Sequence, residues 1–133
     1  MDDPLSAMQE LAGFTRRQYD IPVVAITGSH GKTTTKDILA SILRRTRNIL
    51  ATFQNLNGVI GVPLTLLKLE PRHDALIIEV GISMPGEMQR LAGLVQPTYA
   101  VFTCVAQAHS QFLPTLQTIA DEKKRLLDNL RPG

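Results

Sequence analysis

Val23-Val24-Ala25-Ile26-Thr27-Gly28-Ser29-His30-Gly31-Lys32-Thr33-Thr34-Thr35 is the stretch on which the reading of this chain turns. β-favouring apolar residues run into a turn bracketed by two glycines, and the turn opens onto a helix that begins with a lysine and three threonines. Gly28 and Gly31 permit backbone angles closed to other residues, so successive N–H groups turn inward as an anion-binding nest. The helix N-terminus adds unpaired N–H groups and the positive end of its dipole. Lys32 opposes that dipole, and a bound polyphosphate is what would reconcile it. Ser29, His30 and Thr34 complete the cradle, and the Thr33 hydroxyl is placed for a magnesium ion. The spacing is a short form of the phosphate-binding loop.

Working outward, 133 residues fit one domain with a sizeable core. A net charge of +2 is too small to argue for nucleic acid or a membrane surface. The Arg44-Arg45-Thr46-Arg47 cluster ends a helix, where cations suit the dipole. A single cysteine, Cys104, excludes an internal disulfide and fits a reducing compartment. No signal peptide and no bilayer-length apolar run is read, so a cytoplasmic protein is expected.

The pattern predicts a lead-in helix within residues 1–22, carrying Leu5, Met8, Leu11, Ala12 and Tyr19, then one domain over 23–133. Strands are predicted at Val23–Thr27, Asn48–Thr52, Ala75–Val80 and Tyr99–Val105. Helices are predicted from Lys32 to about Thr46, Ile60–Leu69, Pro85–Leu94 and about Thr115–Leu130. The first of these would present Ile38, Leu39, Ile42 and Leu43 on one face. Alternation of this kind implies an α/β fold, a parallel sheet with helices on both faces and ligands at the carboxyl ends of the strands.

Besides the phosphate loop, Glu79 and His109 fall at those ends. Glu79 closes an apolar strand, where a carboxylate either meets a cation or metal or escapes to solvent. His109 lies in a loop past the fourth strand, as a ligand or as an incidental loop histidine. Lys123 falls amid the apolar stripe of Leu116, Ile119, Ala120, Leu126, Leu127 and Leu130. A lysine there either snorkels out or is neutralised by desolvation, and a neutral amine reacts with carbon dioxide to give a carbamate. Asn55 and Asn57 are ligand contacts or turn formers. Cys104 reads as a small core residue of its strand, and Glu87 as a dipole-complementing acid.

Taken together these residues resemble the central ATP-binding domain of the Mur ligases of peptidoglycan synthesis. The resemblance rests on Thr27–Lys36, Asn55-Leu56-Asn57 with Ile60–Leu67, Ile78-Glu79-Val80-Gly81 with Gly86-Glu87-Met88, Ala108-His109, and Ile119–Lys123. It covers nearly the whole chain and is greatest to the member that adds D-alanyl-D-alanine. It implies ATP and two magnesium sites, with Thr33, Glu79 and His109 on metal and Lys32, His109 and Lys123 catalytic. The family's carbamylated lysine lies fourteen residues after the histidine, which is Lys123, the residue the helical stripe singles out. The implied reaction activates the carboxylate of UDP-N-acetylmuramoyl-tripeptide as an acyl phosphate, which the dipeptide amine attacks. Gln111 departs from the family's usual acidic residue, Cys104 from its asparagine and Gln54 from its glycine, which puts local hydrogen bonding in question. The resemblance further implies a C-terminally incomplete central domain without the domains that bring the UDP-sugar and the dipeptide. Inactivity alone and self-association of an unfinished sheet are then expected. Rival readings are a folylpolyglutamate or cyanophycin synthetase-like ligase, or a non-catalytic nucleotide-binding module.

Overall fold

The computed structural model describes residues 3–107 and 111–132. Four strands, β1 (Val23–Thr27), β2 (Ile49–Ala51), β3 (Ala75–Glu79) and β4 (Tyr99–Phe102), form one parallel sheet in the order β2-β3-β1-β4. The helices are α1 (Pro4–Arg17), α2 (Lys32–Leu43), α3 (Gly61–Leu66), α4 (Glu87–Val95) and α5 (Leu116–Lys124), the last continued by a 3-10 helix over Arg125–Asn129.

Because strand side chains alternate between faces, the apolar runs build a core on each side. Val23, Ala25, Leu76 and Ile78 pack against Val62, Leu66, Met88, Leu91 and Ala12 of α3, α4 and α1. Ile26, Ile49, Ala75 and Ile77 pack on the opposite face with Ala40, Leu39 and Leu43 of α2. The α/β sheet with helices on both faces is therefore as expected. The parallel register pairs Ile26 with Glu79 and Thr27 with Phe102, so β1, β3 and β4 end at one edge.

α1 is tied to this framework by Arg16, fully buried, which donates to the Val95, Tyr19 and Gln96 carbonyls at 2.8, 2.6 and 3.1 Å. It thereby satisfies carbonyls left open at the α4 C-terminus.

The elements correct several expectations in detail. α2 ends at Leu43, and its buried positions are Lys36 and Ala40, whereas Ile38 and Ile42 are 58% and 59% exposed. α3 stops at Leu66, before the expected Leu69. The last helix tightens to 3-10 geometry at Arg125, and Leu116, Leu127 and Leu130 stand exposed. Its buried stripe is Ile119, Glu122, Lys123 and Leu126. β4 ends at Phe102, so Cys104 is neither in the strand nor in the core; it is exposed.

Candidate active site

The turn after β1 takes the geometry its glycines permit. Gly28 has φ +152° and Gly31 φ +81°. A Cβ on Gly28 would lie 1.9 Å from Thr103 Oγ1, so a close approach of the segment after β4 also reserves this position for glycine. The segment after β4 holds the loop in shape. The Ser29 N–H donates to the Cys104 carbonyl at 2.9 Å, and the Ser29 hydroxyl donates to the Ala106 carbonyl at 2.8 Å. Thr103 Oγ1 donates to the His30 carbonyl, while the His30 N–H points to Cys104 Sγ at 3.4 Å.

Gly31, at the N-cap of α2, offers no side chain to the first-turn N–H groups. Those donors face outward for an anion. Lys32 folds back over the loop, its Nζ donating to the Gly28 carbonyl at 2.8 Å. The ammonium is thus held where a phosphate seated on the loop would meet it.

Glu79 ends β3 fully buried, on the sheet face covered by α2. Thr33 Oγ1 and Asn57 Nδ2 approach its Oε2 at 3.3 and 3.4 Å, both long hydrogen bonds. Its Oε1 has no hydrogen-bond partner, one of two such buried side-chain oxygens among the described residues, with Thr27 Oγ1. Lys36 Nζ lies 3.7 Å from that oxygen. Leaving a buried carboxylate oxygen so poorly satisfied is costly, and a cation beside Thr33 and Glu79 would relieve it. These hard oxygen donors fit magnesium, which keeps much of its coordination for water and substrate phosphate. Among the described residues no three His, Cys, Asp or Glu side chains cluster as a metal cage. His109, expected as a ligand, lies outside the described residues, as does Ala108 of its motif.

A cavity of about 310 Å³ opens beside the loop, lined by Gly28, Ser29, Lys32, Asn57, Gly81, Ser83, Glu87 and Lys123, among others. Asn57 reaches it because Gly81 has no side chain: a Cβ there would meet Asn57 Oδ1 at 2.9 Å. Lys123 of α5 also lines it and is only 5% exposed. Burial, then the Lys32 charge, pulls its ammonium down from 10.5 to about 8, with Cys104 opposing. The structure therefore brings Gly28, Ser29, Lys32, Asn57 and Lys123 round one cavity, with Thr33 and Glu79 joined to it through Asn57. It leaves Thr34, His30 and Asn55 exposed and outside that lining.

Two residues that lie within the quoted motifs were given no role of their own from the sequence. Lys36 is 5% exposed and donates to the Thr52 carbonyl at 2.9 Å. Glu122, 6% exposed, accepts from the Gly86 and Met88 N–H groups at 2.8 and 3.1 Å. It caps α4, whose N-cap Gly86 has no side chain, and thereby joins the helix of Lys123 to the cavity wall. Glu87 does more than complement a dipole: its Oε2 accepts from the Ser83 and Met84 N–H groups at 2.6 and 3.0 Å.

Fold and site define an α/β domain with a phosphate-loop-type turn that shares a cavity with a buried lysine. The chain belongs to the Mur ligase family, its residues 26–133 matching the family's middle domain. It is 39% identical over 132 residues to the UDP-N-acetylmuramoyl-tripeptide--D-alanyl-D-alanine ligase of Synechocystis, covering 99% of this chain and 29% of that protein. The Escherichia coli enzyme of the same name is 40% identical over 128 residues, covering 96% and 28%. Among solved structures, MurF from Acinetobacter baumannii superposes with a TM-score of 0.96 at 34% identity, covering 99% of this chain and 29% of that one. MurF from Thermotoga maritima, solved with ADP, gives 0.90 at 30% identity, covering 98% and 31%. The chain thus spans under a third of the length of these relatives. No helix among the described residues is long and apolar enough to cross a membrane.

Proposed function

We propose that this chain is the nucleotide-binding segment of a cytoplasmic ATP-dependent amide ligase of peptidoglycan precursor synthesis. The reaction joins D-alanyl-D-alanine to UDP-N-acetylmuramoyl-tripeptide, whose binding domains lie outside the segment 23–133. Residues 1–22 are the lead-in to that central domain. The observation that carries the reading is that Lys32 and Lys123 line one cavity together with Gly28 and Ser29 of the phosphate loop.

The γ-phosphoryl group passes from ATP to the tripeptide carboxylate, giving an acyl phosphate and ADP. The dipeptide amine adds to the acyl carbon, loses a proton and expels phosphate as the amide forms. The N–H groups of the loop seat the polyphosphate, and Lys32 neutralises charge on the moving phosphoryl group. Thr33, Glu79 and His109 would hold magnesium, which when bound offsets charge on the phosphate oxygens. Asn57 orients the Glu79 carboxylate and borders the acyl site, with Asn55 beside it.

Lys123 is the carbamylation site of this reading. With its ammonium at about 8, on the order of a tenth is neutral amine at pH 7. Its nitrogen bonds to the carbon of carbon dioxide and releases a proton, so a buried cation becomes an oxygen-bearing anion. A ¹³C carbamate resonance from labelled bicarbonate that disappears in Lys123→Ala supports this; its absence from the wild type refutes it. The outer edge of β4, with Tyr99 56% exposed, favours self-association, against which a clean monomer by light scattering at high concentration would count.

The reading as a whole is tested with a ligase containing this segment. It should form amide and release phosphate with D-alanyl-D-alanine as amine donor. Turnover with glutamate in its place would move the chain to another branch of the family.

A further inference from the structure

Lys36 is a lysine buried inside the protein beside the carboxylate that the preceding reading assigns to a metal. Its Nζ has three partners of unequal closeness: the Thr52 carbonyl at 2.9 Å, Asp37 Oδ1 at 2.9 Å and Glu79 Oε1 at 3.7 Å. The first two suffice to keep the ammonium satisfied. Glu79 can therefore be released to another cation without stranding Lys36, and Lys36 can neutralise Glu79 when no other cation is there.

The charges around the site point the same way. Lys32, Lys36 and, before any carbamylation, Lys123 bring three ammonium groups to the surroundings of Glu79, while the other buried carboxylate, Glu122, is committed to the Gly86 and Met88 N–H groups and to Arg125. Glu87 also borders the cavity, but its Oε2 is committed to the Ser83 and Met84 N–H groups. Asp37 is two-thirds exposed and engaged with Lys36. A bare divalent ion entering this environment meets net positive charge and an open carboxylate oxygen that already faces Lys36 Nζ at 3.7 Å. Magnesium gives up its water reluctantly and is ordinarily held by one or two carboxylates together with substrate phosphates. A polyphosphate brings the missing negative charge.

We propose that Lys36 is the resident counter-cation of Glu79, a positioning residue that makes metal binding at Thr33 and Glu79 conditional on an accompanying polyphosphate. This deepens the nucleotide-site reading and rests on it. The role is electrostatic gating: the metal arrives with the nucleotide, and the empty site does not fill with free metal.

The test uses Mn²⁺ as the probe, its free concentration read by electron paramagnetic resonance, with and without ADP. Wild-type chain should bind Mn²⁺ at least tenfold more weakly without ADP than with it. Lys36→Gln, which keeps an amide for the Thr52 carbonyl and removes the charge, should bind Mn²⁺ alone at least tenfold more tightly than wild type. Adding Glu79→Gln should abolish that gain, and Lys36→Arg should behave as wild type. Equal Mn²⁺ affinity of folded Lys36→Gln and wild type overturns the proposal, because a merely structural ion pair would not move this readout. Tight Mn²⁺ binding by wild type without ADP overturns it as well, and needs no variant. Asp37→Asn, at an exposed position, leaves Lys36 more firmly on Glu79 and should weaken Mn²⁺–ADP binding several-fold; unchanged or tighter binding counts against the mechanism. Failure of every protein to bind ADP would instead defeat the nucleotide-site reading, while the Mn²⁺-alone comparison still decides the role of Lys36.

Discussion

Replacing Lys123 by methionine should stabilise the chain at neutral pH and leave it unchanged in strongly alkaline buffer. The folded protein holds this ammonium at about 8 rather than 10.5, first through burial and then through the charge of Lys32. At ~1.4 kcal/mol per pKa unit, burying the charged form costs about 3 kcal/mol, an order-of-magnitude figure. The sign follows from proton counts. Between about 8 and 10.5 the unfolded chain keeps a proton that the folded chain has released, so stability rises with pH across that window. Below it both states are protonated and the full penalty stands. Methionine fills similar volume without charge and carries no penalty at any pH. Urea unfolding of both proteins in carbon dioxide-free buffer, at pH 7 and at pH 10.5, measures the difference. Lys123→Met should be more stable at pH 7 by about 2–3 kcal/mol, and the gap should close by pH 10.5. A gap that does not vary with pH would refute the reasoning that burial and Lys32 depress this lysine. Bicarbonate added at pH 8 should narrow the gap if the carbamate forms.

Two further substitutions probe the framework. Gly28→Ala puts a Cβ 1.9 Å from Thr103 Oγ1 at a φ of +152°, and should cost at least ~2 kcal/mol by denaturant unfolding; a loss under ~0.5 kcal/mol would mean that the β4 segment yields freely. Glu122→Ala strips the acceptor from the Gly86 and Met88 N–H groups, and should cost about 1–3 kcal/mol. Hydrogen exchange should localise that loss to the first turn of α4, and uniform protection there would argue against the cap.

The layered fold was legible because β1 and β3 are apolar on both faces and the helices between them are of ordinary length. The phosphate loop was legible for a local reason: its glycines, lysine and threonines are contiguous, and their geometry depends little on distant contacts. Lys123 was singled out by helical period and by its spacing from His109 in the family resemblance, although three of the four leucines used to draw that stripe prove to be exposed. α2 was misread in part: Leu39 and Leu43 meet the sheet as expected, but Ile38 and Ile42 are exposed, and the rest of the buried face is Ala40 and the aliphatic stem of Lys36. The burial of Lys36 depends on where β2 places the Thr52 carbonyl, which no periodicity encodes. Glu122 was missed because its partners are backbone N–H groups 34 and 36 residues away in sequence. Cys104 was assigned to the strand by hydrophobicity, but the Thr103 hydroxyl turns the chain toward His30 and ends β4 at Phe102.

The claim on which the account stands is that the loop from Gly28 to Thr34, as folded in this chain, is a polyphosphate site with Lys32 as its cation. Calorimetric titration of Mg-ATP into the purified chain, beside Lys32→Ala, tests it most directly. The account predicts binding by the wild type and its loss in the variant, with both proteins folded by circular dichroism. Equal binding by the two, or none by the folded wild type, would contradict it.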